Sequence, residues 1–157
     1  MVKSDLTEVL CKHPFVGDLQ EQYLKLLVGC AKNVHFHDGG YLCHEGEAAD
    51  LFFLIRNGRV AIEIHAGHKG KQRIQTIGPG EVLGWSWLIF PYRWHFDGCA
   101  VSEVSALALD GKCLRTKCDK DHDFGYEMLK RLANVFQSRM EATRLQLLDV
   151  YGSHKGR

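Results

Sequence analysis

Residues 42–58 read LCHEGEAADLFFLIRNG, and this stretch decides the fold of the chain. Its first glycine permits a tight turn, and the apolar run 51–55 that follows predicts a buried β-strand. Asn57-Gly58 between two apolar segments favours a two-residue hairpin turn. We therefore expect the strand to fold back at this turn onto a second strand, residues 60–65, in which apolar and polar side chains alternate.

Short apolar segments separated by glycines continue beyond this stretch. Residues 74–77 and 101–109 supply further predicted strands, so that the β zone extends over residues 35–112. Regularly spaced short strands with glycine turns are typical of a barrel or a double-sheet roll. The expected fold class is mainly β with flanking helices: a double-stranded β-helix or jelly-roll β-roll, with N-terminal helices and a long C-terminal helix.

Two helices are predicted ahead of the β zone, within residues 1–34. Ser4 or Asp5 caps the first helix, which ends before Pro14 because proline cannot continue a helix. Asp18 caps the second helix, whose apolar residues recur on one face.

The last predicted helix covers residues 119–151 and begins in an acidic cluster, which suits the positive end of the helix dipole. Apolar residues spaced alternately three and four apart form a seam along it, as in a coiled coil. This pattern predicts a homodimer through residues 129–150. Packing of the helix on its own roll is the alternative, and both arrangements are compatible. The seam consists of Ala133, Phe136, Met140, Thr143, Leu147 and Val150.

A single domain of residues 1–157 accounts for the length of the chain. Its net charge of +1 argues against nucleic-acid binding, which needs clustered Lys and Arg, and no recognition helix follows the last helix. The N-terminus has no secretory signal, and no apolar run is long enough to span a membrane. We expect a cytoplasmic protein that by itself binds neither DNA nor a membrane.

The six cysteines are expected to be free thiols. None of them forms a CxxC pair, and the lack of a secretory signal favours a reducing compartment. Cys113 and Cys118 are close enough in sequence to suggest a redox or metal pair, but a buried cysteine commonly acts as a small apolar side chain. The six are Cys11, Cys30, Cys43, Cys99, Cys113 and Cys118.

The stretch 42–58 resembles a signature of the cyclic-nucleotide-binding domain family. The resemblance implies the β-roll of catabolite activator proteins, kinase regulatory subunits and gated channels. It also implies a stand-alone, non-enzymatic regulatory domain that binds cAMP or cGMP and signals through its C-terminal helix, with no cofactor besides that ligand. Since no helix-turn-helix like that of the family's transcription regulators is recognised, we expect the domain to act through an unknown protein partner. The matching positions are Leu42, Cys43, Gly46, Glu47, Ala49, Phe52, Phe53, Leu54, Ile55 and Gly58.

The second motif of that family, the phosphate-binding cassette, aligns with residues 78–96 but is altered. In the family a Glu accepts a ribose hydroxyl and an Arg pairs with the cyclic phosphate. Here Gly84 matches, whereas Trp85 stands at the Glu position, and Arg93 aligns with the Arg only across a one-residue gap. A charged hydrogen bond contributes about 1–3 kcal/mol, so the resemblance implies weakened binding of ordinary cyclic nucleotides.

Aromatic side chains dominate this segment, with Trp87 and Trp94 at positions where the family has small residues. We expect them to line a pocket for a planar ligand, with Arg93 and His95 meeting an anion and Ser86 replacing the missing carboxylate. The alternative is a ligand-free scaffold with a tryptophan-plugged pocket. The expected ligand-binding residues are Gly84, Trp85, Ser86, Trp87, Arg93, Trp94, His95 and Phe96.

Histidines suggest a further alternative, a cupin-like metal-dependent enzyme. His35 and His37 alternate along a predicted strand and share one face, and with Gly29 they resemble the start of the cupin metal motif. No Glu follows at the required spacing, because Glu45 is too far on, and His44 stays open as a third ligand. The common enzyme motifs, a GxSxG elbow, a P-loop and HExxH, are absent.

Overall fold

Strands in the middle and helices at both ends make up the computed structural model, which describes residues 2–155, with side chains for residues 6–152. This arrangement confirms the expected class, mainly β with flanking helices. The helices are α1 (Val2–Lys12), α2 (Glu21–Val28), α3 (Gly111–Lys120) and α4 (His122–Lys155). The strands are β1 (Ala31–Phe36), β2 (Tyr41–Cys43), β3 (Leu51–Asn57), β4 (Val60–His65), β5 (Lys71–Ile77), β6 (Val82–Leu83), β7 (Asp97–Ala100) and β8 (Val104–Asp110).

The strands form two antiparallel sheets, which share an apolar core between them. The first sheet has the order β1-β8-β3-β6 and the second has the order β2-β7-β4-β5. Side chains from both sheets meet in this inner core, and a second apolar cluster, the outer core, lies between the first sheet and the helices. Over the described residues, none of the helices combines the length and the hydropathy of a membrane span.

The strand β3 is buried on both faces, which explains its unbroken apolar sequence. Phe53 and Ile55 belong to the inner core, whereas Phe52 and Leu54 belong to the outer core with the helices. Successive side chains of a strand point to opposite faces, so every position of this run meets an apolar environment.

The expected hairpin at Asn57-Gly58 is wrong. β3 and β4 lie in different sheets, and Gly58 carries the chain from the first sheet to the second. Its φ is +86°, and a Cβ atom at this position would lie 2.0 Å from the carbonyl oxygen of Glu103. The turn needs glycine for both reasons. A turn between two sheets requires a residue with a positive φ just as a hairpin does, so the sequence alone does not distinguish them.

The expected caps of the N-terminal helices are also wrong. α1 begins before Ser4 and Asp5, which therefore lie within it, and their side chains are outside the described residues. α2 begins three residues after Asp18, and the carboxylate of Asp18 instead accepts a hydrogen bond from Arg131 of α4 at 2.7 Å. This bond lowers the pKa of Asp18. The side chain of Asp18, which was expected to cap α2, thus forms a long-range ion pair with Arg131.

The predicted final helix is divided into α3 and α4 at Asp121. The Oδ1 atom of Asp121 accepts the backbone N–H of Phe124 at 3.1 Å, so the acidic cluster does cap α4. α3 begins earlier than the expected helix, after Asp110, whose side chain accepts the N–H of Cys113 at 2.9 Å. β1 likewise begins at Ala31, ahead of the expected start of the β zone at residue 35.

Cys30 and Cys113 form a disulfide, so the expectation of free thiols is wrong for these two residues. They are 83 residues apart in sequence, and no local pattern connects them. β1 pairs with β8, and α3 follows β8 directly, which brings the two cysteines together. The suggested pairing of Cys113 with Cys118 is therefore also wrong. Cys118 is a free thiol, and burial raises its pKa to about 11.

A buried ion pair holds the first residue of β7. Asp97 is 4% exposed, and its carboxylate lies 2.8 Å from Nζ of Lys71 and accepts the N–H of Glu45 at 2.7 Å. Burial alone raises the pKa of Asp97, but the contacts with Lys71, Glu45 and His44 outweigh it and hold the pKa below its usual value. Asp97 thereby links β7 to β5 and to the loop that follows β2.

We expect Gly58→Ala to lower the free energy of unfolding by about 2–4 kcal/mol. A positive φ costs a residue with a Cβ atom about 1–2 kcal/mol, and the close approach to the Glu103 carbonyl adds to this cost. Gly46→Ala is the matched control, because Gly46 has the same φ and no atom within 4 Å of its Cβ position. Urea unfolding measures both variants, and equal losses of stability would contradict the close approach.

Asp97→Asn should lower the melting temperature at pH 7, because it removes the charge that pairs with Lys71. The folded pKa of Asp97 lies below its unfolded value, so this stabilisation is present above the ordinary carboxyl pKa and is lost as the pH falls through the folded pKa. The difference from the wild type should therefore shrink between pH 7 and pH ~3. Thermal unfolding followed by circular dichroism measures this, with the exposed Asp149→Asn as the control of equal charge; a difference independent of pH would refute it.

Candidate ligand-binding site

The altered motif forms one irregular segment, residues 84–96, which we call the cassette. It leaves β6 at Gly84, where φ is +100°, and returns to the second sheet at β7. The backbone of Trp94 donates to the carbonyl of Glu47 at 3.0 Å and accepts from Gly46 at 2.9 Å, and Ala49 donates to Tyr92 at 2.7 Å. The glycine-containing stretch that decides the fold therefore also holds the end of the cassette in place.

The side chain of Trp94 fills the interior of the roll beside the cassette. It is 5% exposed and belongs to the inner core. Its ring lies parallel to Phe53, with 6.3 Å between centroids, and meets the edge of Phe96 at 5.8 Å. A Cβ atom on Gly84 would come within 2.6 Å of this ring. Gly84 therefore serves the packing of Trp94 as well as the turn of the chain.

Arg93 and His95 point away from that interior. Both are exposed, whereas Trp94 and Phe96 are buried, as expected for alternating residues of an extended segment. The guanidinium of Arg93 donates to the carbonyl of Gly46 at 3.1 Å. The structure thus separates the two expected anion-binding side chains from Trp94 and Phe96, which were expected to surround the same ligand.

Trp85 connects the cassette to the C-terminal helix. Its ring stacks on His95 with centroids 5.1 Å apart, and it also meets Phe136 of α4 in an edge-on contact at 5.4 Å. Nearby, Arg139 of α4 donates to the carbonyl of Val82 at the base of the cassette. Burial lowers the pKa of Arg139. Two residues of α4 therefore contact the cassette and the strand that leads into it.

Trp87 lies on the other side of the first sheet, next to the helices, and Ser86 beside it in the chain is also buried. Trp87 is fully buried in the outer core, where its ring lies 5.5 Å from that of Phe52, and its carbonyl accepts from Arg115 of α3 at 2.5 Å. Among the described side chains, the hydroxyl of Ser86 and the indole N–H of Trp87 are buried without a hydrogen-bond partner. The predicted residues therefore do not surround one cavity. Trp94 and Phe96 lie in the inner core, Arg93 and His95 are exposed, and Trp87 lies in the outer core.

The histidines of the alternative metal site lie outside the roll. Val34 and Phe36 pack against the inner core, so His35 lies on the outer face of β1, and the exposed His37 directly follows the strand. Their partner is Glu103, which sequence spacing did not suggest, because it precedes β8 and is far away in the chain. The register of β1 on β8 is the information that would have identified it.

His44 lies apart from that pair. Its ring stacks on Tyr41 with centroids 4.6 Å apart, and its Nδ1 atom lies 3.8 Å from the carboxylate of Asp97. It contributes to the ion pair that holds β7 and does not supply the third ligand that the sequence left open.

The chain is similar in sequence to a known domain family and to larger proteins. A family model described as the cyclic nucleotide-binding domain matches residues 33–121. A cGMP-dependent protein kinase of Toxoplasma gondii is 25% identical over 134 residues, which cover 85% of this chain and 13% of the kinase. A CRP-like cAMP-activated global transcriptional regulator of Mycobacterium tuberculosis is 22% identical over 145 residues, which cover 92% of this chain and 63% of the regulator.

The solved structures agree with this relationship at the level of the fold. A cyclic nucleotide-binding domain from Methylobacillus flagellatus KT has a TM-score of 0.77 at 20% identity, over 94% of this chain and 83% of that chain. The chain spans less than two thirds of the length of the two curated relatives. The family match includes seven of the eight strands in full, from β2 to β8, together with most of β1. The chain belongs to the cyclic nucleotide-binding domain family.

Proposed function

We propose that this chain is a regulatory sensor domain in which a small ligand at the cassette changes the packing of α4. The observation that carries this proposal is the position of Trp85, whose ring contacts His95 in the cassette and Phe136 on the helix. A displacement of the cassette therefore changes a contact that fixes α4. Such a linkage is what a ligand-dependent helix movement requires.

Cyclic AMP or cyclic GMP is the proposed ligand, by membership of the family. The support comes from the two curated relatives, which are a cGMP-dependent kinase and a cAMP-activated regulator. In the geometry of this chain, such a ligand enters the roll beside Gly84 only if Trp94 leaves its place between Phe53 and Phe96. The cost of this opening lowers the apparent affinity, because only the open fraction binds.

Arg93 is the residue proposed to pair with the phosphate. Its guanidinium is exposed and makes one hydrogen bond, to the carbonyl of Gly46. It can therefore turn toward an anion without disrupting a buried network, and a guanidinium matches the geometry of a phosphate.

The packing of Trp94 also favours a second candidate, a scaffold that binds no nucleotide. In that case Trp94 permanently occupies the interior and the domain acts through its surface and α4. The two candidates differ in whether the interior of the roll opens in solution.

We expect wild-type protein to bind cAMP or cGMP in isothermal titration calorimetry and Trp94→Ala to bind at least tenfold more tightly, since the truncation removes the cost of opening. Arg93→Ala should lose at least tenfold in affinity through the loss of the charged pair. Arg59→Ala, which removes an exposed arginine outside the cassette, is the control for charge.

The absence of heat from both the wild type and Trp94→Ala at millimolar nucleotide would overturn the sensor proposal and favour the scaffold. Binding by Trp94→Ala alone would show a site that the native tryptophan keeps closed, which also favours the scaffold.

We further propose that the domain forms a homodimer through α4. The helix packs on the roll as far as Gln146, whose side chain donates to the carbonyl of Ile74 on β5. Met140 and Leu147 of the predicted seam are 55% and 52% exposed on this part of the helix. Burial of such side chains against a second copy of the same helix would stabilise a dimer.

Leu147→Glu should convert the dimer to a monomer, because it places a charge in the apolar seam. The matched control is Leu145→Glu: Leu145 is 63% exposed and lies roughly 160° around the helix from Leu147. Sedimentation velocity measures the mass of both variants and of the wild type. A monomeric wild type at high concentration, or equal behaviour of the two variants, would contradict the seam.

A further inference from the structure

Three side chains with metal-binding chemistry lie together on the outer face of the first sheet. Antiparallel pairing places His35 opposite Ser105 and Phe36 opposite Val104. The ladder ends at this second pair, and His37 and Glu103 are the residues that directly adjoin it along the chain. Since alternate residues of a strand share a face, His35, His37 and Glu103 project from the same face at the end of β1.

The distances suit a single metal ion. Nε2 of His35 lies 3.4 Å and Nδ1 of His37 lies 3.2 Å from the same carboxylate oxygen of Glu103, and the potential ligand atoms are all within 4.8 Å of one another. Tetrahedral zinc with bonds of ~2.0–2.2 Å has ligand atoms about 3.3–3.6 Å apart. Small rotations of exposed side chains are therefore enough to form the site.

The backbone that carries Glu103 is held in place. Ser102 Oγ accepts the N–H of Arg59 at 3.0 Å and donates to the carbonyl of Glu103 at 3.2 Å. The same carbonyl packs against Gly58 at the turn between the sheets. The carboxylate thus extends from a fixed turn, and the two imidazoles extend from a strand, which reduces the conformational entropy lost on binding.

We propose that His35, His37 and Glu103 bind Zn²⁺ at the surface of the roll. Two imidazoles and one carboxylate are a ligand set that zinc accepts, and water completes the coordination because the side chains are 51%, 85% and 62% exposed. The ion would join the edge strand β1 to the turn before β8. This site is independent of the cassette and of the ligand proposed there.

The test is a titration of the untagged protein with ZnCl₂ by calorimetry, in a Cys11→Ser background that removes the exposed thiol. We expect one Zn²⁺ per chain, and at least tenfold weaker binding by His37→Ala and by Glu103→Gln. His68→Ala removes an exposed imidazole elsewhere and should bind as the background protein does. At a Zn²⁺ concentration 100-fold above the dissociation constant, the melting temperature should rise by about 5–10 °C in the background protein and His68→Ala only.

A hydrogen-bonded His–Glu cluster without metal is the outcome that would overturn the proposal. It would appear as no binding at 100-fold molar excess of Zn²⁺, or as equal binding by Glu103→Gln and His68→Ala. Melting temperatures in EDTA establish that each variant is folded, so that a lost titration signal reports the site itself.

Discussion

The strand β3 packs its side chains into two apolar cores, one on each of its faces, and the rest of the structure depends on this constraint. Phe53 and Ile55 close the inner core against the second sheet, while Phe52 and Leu54 receive the helices. Each such side chain contributes about 1.5–3 kcal/mol when fully buried. Because β3 also pairs with β6, where the cassette begins, the strand that organises both cores fixes the origin of the candidate site.

Tryptophan side chains occupy the cassette positions at which the family motif has a carboxylate or a small residue. A buried tryptophan covers about 150–250 Å², which corresponds to about 4–6 kcal/mol of apolar burial. Any ligand that displaces Trp94 must offset much of this by burying its own surface. Trp85 extends the aromatic contacts to Phe136, so the segment with the altered motif is in direct contact with α4.

Periodicity predicted the β-roll and the helices well, because it records which side of a strand or helix is buried. It failed at Gly58, since a hairpin and a crossing between sheets both need a positive φ and only the partner strands distinguish them. The disulfide of Cys30 and the approach of Glu103 to His37 depend on the register of β1 on β8, which a single sequence does not contain. In the cassette, the alternation of inward and outward residues separated Arg93 from the interior that it was expected to line.

The disulfide between Cys30 and Cys113 has a mechanical consequence. All eight strands lie between these two cysteines, so the covalent loop encloses the whole roll and leaves only α1, α2, most of α3 and α4 outside. A force applied to the two ends of the chain would extend the helical segments but could not draw out the 83-residue loop, about 290 Å of contour length. In the oxidised protein, tension transmitted along α4 therefore passes from Cys113 in α3 through the disulfide to Cys30, and the sheets do not carry it.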